Sequence, residues 1–335
     1  MQLLLLGGTR FLGRAVAQVA LGRGHEVTCL ARGSAPTPDG VTFVRADRDD
    51  DDGLAAVAGR AWDGVVDVTL HPVHVRRAVR DLTTGHWVFV STANVYADDV
   101  GPEPDEGAPL VPPVDADRMA GMETYGGAKV ACEQAYLGSG TPAAVVRPGL
   151  IGGPGDASGR SGYWPWRFAH PVGPEVAVPD DPDLPTALVD VRDLAAFVVA
   201  AAEQGLQGPY NVTGPTTPLA QVLATAADVA ASRARGRAIP LPVLAELGVR
   251  PWMGPTSMPL WLDDPAMRGF GTLDCARARA AGLDTRPLAE TLRDALGYEE
   301  ESRTTPRAAG LTDDEERRVL AAPPTLGAWG SSPPP

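Results

Sequence analysis

A tyrosine and a lysine four residues apart are the pair in this sequence with the clearest use in chemistry. Tyr125 and Lys129 stand in the segment Tyr-Gly-Gly-Ala-Lys, and Lys129 is the one lysine among 29 Lys and Arg residues. On a helix, residues four apart share a face, so the ammonium can lie beside the phenol and stabilise its ionised form. A phenol tuned in this way can exchange a proton near neutral pH. A chance pairing on the surface is the alternative.

A glycine-rich segment near the N-terminus has the pattern of a dinucleotide-binding turn. It lies between a predicted strand, Met1–Leu6, and a predicted helix that runs from Phe11 to about Gly22, and it comprises Gly7, Gly8, Thr9, Arg10, Phe11, Leu12 and Gly13. Glycines let the backbone approach a pyrophosphate, and a helix N-terminus favours its negative charge. The segment therefore predicts nucleotide binding, and a tight turn without a ligand is the alternative.

The end of the second predicted strand indicates which nucleotide binds. Ala31 stands where an acidic residue would bind the ribose 2′-hydroxyl of NAD. Arg32, which follows it, and Arg10 can instead hold a 2′-phosphate by charge-assisted hydrogen bonds, unless both are simply solvated. We therefore expect NADP(H) to be preferred, with NAD(H) possible. Asp47, after the third strand, is predicted to bind the adenine amino group or to serve as a turn residue.

Short apolar strands alternate with helical stretches along the first half of the chain. The helices are predicted at Val73–Leu82 and Glu123–Tyr136, and further strands at His25–Ala31, Val41–Arg45, Gly64–Leu70, His86–Ser91 and Ala143–Arg147. Such alternation predicts an α/β fold, a doubly wound parallel sheet of the Rossmann type with helices on both faces.

A change of composition after about Gly152 indicates a second, smaller lobe. Gly153–Pro185 is rich in Pro, Gly and aromatic residues and is predicted to be mostly loop, and Pro323–Pro335 is predicted to be disordered. The predicted domains are a dinucleotide-binding core at 1–152, a C-terminal substrate-binding lobe mainly at 153–300 with 186–213 returning to the core, and a partly disordered extension at 301–335.

Two strand ends carry further candidate site residues. After the fifth strand, a hydroxyl at Thr92 can hold a substrate oxygen beside the phenol, and Asn94 is a candidate substrate contact. Plain capping of the strand by Thr92 is the alternative. After another strand, Pro148 and Gly149 can pack on a nicotinamide ring and bond its carboxamide.

Aromatic and basic residues of the second lobe are candidates for substrate binding. Tyr163, Trp164 and Arg167 lie close together in the sequence, and such rings can stack on a planar or sugar-like ligand. A packing role for these residues is the alternative. His71 and His74 lie three residues apart without a third partner, so we predict no metal site.

Charge and cysteine usage narrow the class of protein. The net charge is −13 and no Lys/Arg run occurs, so nucleic acid and anionic membranes are poor partners. Cys29, Cys132 and Cys275 show neither disulfide nor zinc spacing, and no segment approaches a membrane span. We therefore expect a cytoplasmic protein with a small-molecule substrate.

Taken together, these motifs have the order and spacing of one family. About residues 1–300 resemble the extended short-chain dehydrogenases/reductases, the NAD-dependent epimerase/dehydratase group, including the segments 188–195 and 210–214. By this resemblance Tyr125 is the catalytic acid/base, Lys129 stabilises its phenolate and bonds the nicotinamide ribose, and Thr92 orients the reacting oxygen. The resemblance also implies a homodimer formed through the two predicted helices around 73–82 and 123–136.

Several positions depart from the family pattern. Ala93 and Asn94 replace the Asp-Glu pair of sugar-nucleotide dehydratases, so 4,6-dehydration lacks its acid and base. Leu150 and Thr186 stand where sugar-nucleotide enzymes place an asparagine and an arginine on the diphosphate. Arg10 replaces the middle glycine, and the segment around it is also similar to a divergent branch that includes chloroplast RNA-binding proteins.

Three functions are consistent with these residues. The first is an NAD(P)(H)-dependent oxidoreductase that transfers hydride at a carbinol or ketone carbon of a small molecule, with Tyr125 as acid/base. The alternative is an epimerase that retains its NAD(P) cofactor and uses the same residues. A non-catalytic cofactor-sensing or RNA-binding protein is the further alternative, and the charge of −13 speaks against it.

Overall fold

A computed structural model describes residues 1–98 and 100–323. The chain divides into two compact units. Unit 1 comprises Met1–Gly153, Thr186–Thr216 and Gly269–Pro287, and unit 2 comprises Pro154–Pro185, Thr217–Arg268 and the described residues from Leu288 onward. The return of the chain to unit 1 extends to residue 216. Residues 269–287, which the sequence analysis assigns to the second lobe, also lie in unit 1, where Cys275 packs in the core.

Unit 1 contains a seven-stranded parallel sheet of the Rossmann type, as the sequence predicts. Its strands are β1 (Gln2–Leu6), β2 (Glu26–Ala31), β3 (Thr42–Arg45), β4 (Gly64–Asp67), β5 (Trp87–Val90), β6 (Ala143–Pro148) and β7 (Gly208–Val212). Their order is β3-β2-β1-β4-β5-β6-β7, and every neighbouring pair is parallel. The strand order reverses between β1 and β4, which is where such sheets bind nucleotides.

Both faces of this sheet are buried, which explains why its strands are continuous apolar runs. The main helices of unit 1 are α1 (Phe11–Gly22), α2 (Pro72–Asp81), α3 (Tyr125–Leu137) and α4 (Val191–Gln204). Leu3 and Leu5 pack in a core with residues of α1 and α4, whereas Leu4 and Leu6 pack in a core with residues of α2 and α3. Successive side chains of β1 thus point alternately to the layer of α1 and α4 and to the layer of α2 and α3.

The start of α3 differs from the prediction. A 3-10 turn at Met122–Thr124 precedes the helix, which begins at Tyr125 rather than at Glu123. Smaller helices of unit 1 lie at Ala55–Ala58 and Ala276–Ala280. No described helix has the length and apolarity needed to cross a lipid bilayer.

Unit 2 contains more regular structure than the sequence predicts. A helix at Tyr163–Ala169 and a strand at Glu175–Pro179 lie in the segment predicted to be mostly loop, and the strand pairs in parallel with Arg235–Ile239. Pro165 is compatible with that helix because the first turn needs no backbone N–H at its position. The remaining main helices are Leu219–Val229, Leu241–Glu246, Leu288–Gly297 and Asp313–Ala321.

The predicted C-terminal extension includes ordered structure. Thr312 and Glu315 form a capping box at the start of the helix Asp313–Ala321. Glu316 on this helix is fully buried and accepts a hydrogen bond from the backbone of Ala177 at 2.8 Å. Except for Pro323, the tail predicted to be disordered lies outside the described residues.

Candidate active site

The glycine-rich segment forms a close turn between β1 and α1. Gly7 has a φ of +108°, which favours glycine, and a Cβ at Gly13 would lie 2.2 Å from the carbonyl oxygen of Gly7. Arg10 is the N-cap residue of α1, and its side chain makes no capping hydrogen bond in the described structure. The first N–H groups of α1 are therefore available for a ligand, and the helix dipole favours an anion there.

A cavity of about 390 Å³ lies beside this turn, at the carboxyl ends of the central strands. Residues from the glycine turn and from the segments after β2, β3 and β4 line it, including Gly7, Thr9, Arg10, Ala31, Arg32, Ser34, Asp47, Thr69, His71 and His74. The cavity thus brings Arg10, Arg32 and Asp47 to one site. A dinucleotide fits these residues, since the narrow turn and the uncapped helix N-terminus are the features that pyrophosphate binding requires.

The rim of the cavity carries charged groups of both signs. Arg32 is exposed, and Asp47 accepts a hydrogen bond from the backbone of Asp49 at 3.1 Å, which places its carboxylate in a local turn. His74 contacts Asp49 through Nε2 at 2.6 Å and the Thr69 hydroxyl through Nδ1 at 2.9 Å. Burial lowers the pKa of His74, an effect that its hydrogen bond to Asp49 opposes.

Lys129 is buried on α3, and its ammonium is held by backbone carbonyl groups. Nζ donates to Val90 O at 2.6 Å and to Thr69 O at 2.7 Å, and it lies 4.5 Å from the centre of the Phe89 ring. These contacts attach Lys129 to the ends of β4 and β5, next to the cavity. An ammonium has three N–H donors, so a third is left for a ribose or the phenol.

Helix α3, which begins at Tyr125, packs closely on the segment after β5 that contains Thr92. A Cβ at Gly126 would lie 2.1 Å from the carbonyl oxygen of Asn94, so only glycine permits this approach. Tyr125 is half-buried at the first position of α3. Thr92 donates from its hydroxyl to Asn94 Oδ1 at 2.9 Å and accepts from Asn94 N at 3.2 Å. Thr92 therefore caps the 3-10 turn Ala93–Val95 that follows β5, and its role toward a substrate oxygen stays a prediction.

Pro148 is the last residue of β6, and Gly149 follows it at the same end of the sheet. Gly149 N donates to Val212 O at 3.0 Å, and a Cβ at Gly149 would lie 2.6 Å from the carbonyl oxygen of Gly271. The backbone here is therefore close-packed.

Sequence reasoning missed an ion pair beneath this end of the sheet. Arg147 donates to both oxygens of Glu133, at 3.0 and 2.7 Å, and the Ser91 hydroxyl donates to Glu133 at 2.5 Å. Arg147 also donates to the Tyr96 hydroxyl at 3.1 Å, and all these groups are buried. Glu133 lies four residues after Lys129 on α3, a spacing that marks it as a residue of the same helix face.

A second missed cluster lies at the end of β4. Asp67 accepts hydrogen bonds from Arg48 through both carboxylate oxygens, at 2.7 and 2.8 Å, and from the Tyr136 hydroxyl at 2.6 Å. Burial opposes ionisation of Asp67, but the charge and hydrogen bonds of Arg48 outweigh it and hold the pKa of this carboxyl below its usual value. Burial, with the nearby carboxylate, raises the pKa of Tyr136 well above its usual value, so the phenol remains a donor.

The candidate substrate residues of the second lobe lie inside unit 2. Tyr163, Trp164 and Arg167 are fully buried, and Trp164 Nε1 donates to Pro259 O at 2.8 Å. Arg167 donates to Leu311 O at 2.9 Å. These contacts agree with the packing interpretation, and substrate binding by the three residues stays a prediction. Among the described residues, no group of His, Cys, Asp and Glu side chains is arranged to hold a metal ion.

The parallel sheet with its glycine turn and cavity defines a Rossmann-type nucleotide-binding protein. The model of the NAD-dependent epimerase/dehydratase family matches residues 3–213. The chain therefore belongs to this family and is an enzyme of the NAD-dependent epimerase/dehydratase type. No curated protein sequence matches the chain.

Three solved structures show how widely this fold is shared. UDP-glucose 4-epimerase from Thermotoga maritima with UDP-glucose is 16% identical with a TM-score of 0.66, over 90% of this chain and 99% of that one. The Thermus thermophilus UDP-glucose 4-epimerase complex with NAD is 20% identical with a TM-score of 0.61, over 90% and 100%. UDP-glucose-4-epimerase from Stenotrophomonas maltophila, with NAD and formylated UDP-arabinopyranose, is 20% identical with a TM-score of 0.66, over 89% and 98%. At such identities the likeness concerns the fold.

Proposed function

We propose that this enzyme is an epimerase that keeps an NAD(P) cofactor bound and inverts a carbinol stereocentre of a small molecule. The observation that carries the proposal is the position of Lys129, whose ammonium is fixed at the ends of β4 and β5 beside the nucleotide cavity. The family match and the names of the similar structures, which are UDP-sugar 4-epimerases, favour epimerisation over net oxidation or reduction.

Proton transfer belongs to Tyr125 in this proposal. The phenolate takes the proton of the substrate hydroxyl while the carbon loses hydride, and it returns the proton when hydride is delivered to the opposite face of the ketone. Lys129 stabilises the phenolate by its charge. The Thr92 hydroxyl, which now donates to Asn94, turns to hold the substrate oxygen. Substrate and product are isomers, so no net electron transfer occurs.

The nicotinamide cofactor, when bound, supplies a carbon that accepts and returns the hydride. Its pyrophosphate would be held by the backbone of Gly7, Gly8 and the start of α1, and Pro148 and Gly149 would contact the nicotinamide. Arg10 and Arg32 would hold a 2′-phosphate, which supports a preference for NADP(H) over NAD(H). Both arginines line the same cavity, and Ala31 there carries no acid that would repel the phosphate.

The proposed substrate is a small molecule with a secondary alcohol. UDP-glucose is the first compound to test, because a similar structure holds it. Leu150 and Thr186 are both buried and stand at the positions where the resemblance places diphosphate-binding residues. We therefore expect UDP-sugars to bind weakly in comparison with substrates that lack a diphosphate.

An oxidoreductase that exchanges its cofactor at every turnover is the second candidate. The exposed side chain of Arg32 at the cavity rim favours it, because a nucleotide bound there would remain open to solvent. The same Tyr125, Lys129 and Thr92 would perform the chemistry.

One preparation distinguishes the two candidates. Acid release from the purified protein measures how much NAD(P) stays bound, and absorbance at 340 nm follows net reduction or oxidation. Epimerisation predicts retained nucleotide, interconversion of substrate isomers without added cofactor and no net change at 340 nm. Nucleotide-free protein that oxidises or reduces substrates in step with added cofactor would establish the second candidate instead.

A further inference from the structure

The residue that holds Lys129 is itself held by a buried carboxylate. Lys129 Nζ donates to the carbonyl oxygen of Thr69 at 2.7 Å, and the backbone N–H of Thr69 donates to Asp67 Oδ1 at 2.9 Å. The peptide groups on the two sides of Thr69 are therefore both engaged. A displacement of the Asp67 carboxylate would move the backbone that positions the ammonium.

Asp67 has little freedom to move. Its side chain is fully buried, and Arg48 clamps both oxygens at 2.7 and 2.8 Å in the forked geometry that fixes a carboxylate best. Arg48 also donates to the carbonyl oxygen of His74 at 2.9 Å, so the guanidinium joins the segment after β3 to α2.

A third donor connects this cluster directly to the helix that carries Lys129. The Tyr136 hydroxyl donates to Asp67 Oδ2 at 2.6 Å. Tyr136 follows Lys129 by two helical turns on the same face of α3. The helix is thus attached to the end of β4 at two points, through Tyr136 to the carboxylate and through Lys129 to the Thr69 carbonyl.

Stability alone is a weak reason for such a cluster. Burying two charges costs desolvation energy, and apolar side chains of similar volume often give an equally stable or more stable core. The hydrogen bonds nevertheless impose directions that apolar packing would not impose. The cluster lies where direction matters, because Asp67 holds the backbone of the cavity-lining residue Thr69, whose carbonyl oxygen accepts a hydrogen bond from Lys129.

We propose that Asp67, clamped by Arg48, is a positioning residue that sets the location of the Lys129 ammonium through the Thr69 backbone. The functional part of this inference rests on the role that the proposed function gives to Lys129. Asp67 itself touches neither cofactor nor substrate in the proposal. Its effect on binding and catalysis is transmitted by Lys129.

Because the chain contains a single lysine, the position of the Lys129 ammonium can be measured directly. Lys129 is the one lysine, so lysine-selective ¹³C labelling gives a single set of side-chain signals. Because Nζ lies 4.5 Å from the centre of the Phe89 ring, the ring current shifts the signals of the adjacent methylene away from their ordinary position. The shift measures the place of the ammonium group without any substrate or activity.

The principal variant removes the whole cluster at once, by Arg48→Met, Asp67→Leu and Tyr136→Phe. This combination leaves neither a buried charge nor the phenol without a partner, which a single substitution would do. The matched control replaces another Arg–Asp pair of unit 1, Arg286→Met with Asp193→Leu, whose closest contact is 2.6 Å. We expect the Lys129 signals to lose most of the ring-current shift in the cluster variant and to keep it in the control.

A binding cycle then tests whether the effect reaches the cofactor through Lys129. We expect the cluster variant to bind NADPH about tenfold more weakly than the parent protein, a loss of about 1.4 kcal/mol. Arg48 also lines the cavity, so its loss acts on the nucleotide in both backgrounds. In a Lys129→Met background the same substitutions should nevertheless weaken binding clearly less than in the parent, because the residue through which Asp67 acts is absent. Circular dichroism of each protein establishes that it is folded.

Either of two results overturns the inference: Lys129 signals that stay unchanged in the folded cluster variant, or an equal loss of affinity in both backgrounds. If the cluster variant does not fold, Asp67→Asn replaces it. In this variant the introduced amide nitrogen faces one N–H group of Arg48 and cannot accept its hydrogen bond. We expect the Lys129 signals to change in the same direction as in the cluster variant but by less. Unchanged Lys129 signals would contradict the inference. If Lys129→Met binds NADPH as the parent does, the proposed role of Lys129 fails, while the signals still decide whether Asp67 positions it.

Discussion

Arg10 donates a hydrogen bond from Nε to the Ser34 hydroxyl at 3.2 Å. The bond joins the glycine turn before α1 to the segment after β2, and both residues line the nucleotide cavity together with Arg32. This bond uses only Nε, so the terminal nitrogens of Arg10 can still donate to an anion, and the proposed preference for NADP(H) assigns them to a 2′-phosphate.

Removing both arginines should therefore abolish the preference for NADP(H). We expect the parent protein to bind NADP(H) at least about tenfold more tightly than NAD(H), since charge-assisted bonds contribute about 1.5–3 kcal/mol each before solvent screening. The double variant Arg10→Ala, Arg32→Ala should bind the two nucleotides about equally in fluorescence titrations. Arg14→Ala, which removes a bond to the Pro36 carbonyl, is the control. A parent that prefers NAD(H), or a double variant that retains the preference, would contradict the assignment.

Replacing Tyr125 by phenylalanine should abolish turnover and leave the affinity for the cofactor nearly unchanged. The ring keeps its volume, but the proton-transferring hydroxyl is lost, and such groups contribute about 10²–10⁴ in rate. We expect cofactor affinity to stay within about threefold of the parent value, a change of less than 1 kcal/mol. Steady-state kinetics and a cofactor titration on the same preparation check both statements, with Tyr298→Phe as the control. Near-normal turnover would remove Tyr125 from the mechanism.

Lys129→Arg should lose activity even though the charge is kept. The ammonium donates to two carbonyl oxygens at 2.6 and 2.7 Å within a buried site, and a planar guanidinium is too large for these contacts. Any residual activity should show an altered pH–rate profile, because in the proposed mechanism the Lys129 ammonium stabilises the phenolate of Tyr125 and a guanidinium would not occupy the same position. The pH–rate profile of the variant measures this. A variant with the parent's profile and rate would show that the ammonium itself is not needed.

The three cysteines should be unreactive in the native protein. Burial raises the pKa of the Cys29 and Cys132 thiols to about 12 and that of Cys275 to about 11. A raised pKa means that thiolate is scarce below it, so at pH 8 only about one thiol in 10³–10⁴ is ionised. A chromogenic disulfide reagent should therefore react slowly with native protein at pH 8 and rapidly with all three residues after unfolding. Fast reaction of native Cys29 would indicate that the glycine turn opens readily.

The predicted homodimer can be tested on the outer face of α3. Of the small apolar residues on this helix, Val130 is buried in unit 1, whereas Ala131 and Ala135 are only half-buried and remain available for a partner helix. We expect light scattering at micromolar concentration to give twice the mass of one chain, and Ala135→Glu to give one chain mass. Ala224→Glu, on a helix of unit 2, is the control. A monomeric parent would contradict the dimer that the family resemblance implies.

The sequence located the residues whose positions follow from local patterns. The glycine turn lies between a strand and a helix, Thr92 lies just after a strand, and Lys129 lies one helical turn after Tyr125. Each of these relations spans fewer than ten residues, so propensity and periodicity are enough to predict it. The same patterns predict the order of alternating elements and hence the parallel sheet.

Contacts between distant segments could not be predicted from such local patterns. Arg48 follows β3 and Asp67 ends β4, and two other strands lie between β3 and β4 in the sheet. Their pairing depends on the register of four strands, which single charged residues in a sequence do not reveal. In the second lobe, the helix Tyr163–Ala169 lies in a segment whose Pro- and Gly-rich composition predicts loop. The helix is stabilised by the burial of its aromatic rings, which depends on tertiary contacts.

The division of unit 1 into separate chain segments has a consequence for synthesis on the ribosome. The strand β6 ends at Pro148, but its outer neighbour β7 is made only after the chain has passed through residues 154–185 of unit 2. At about 5–20 residues per second, the edge of the growing sheet stays unpaired for several seconds. The unpaired backbone N–H and C=O groups of such an edge can form hydrogen bonds with strands of other chains. Chaperone demand and yield during expression should therefore depend on how quickly β7 arrives, and slow codons between residues 154 and 207 should increase aggregation.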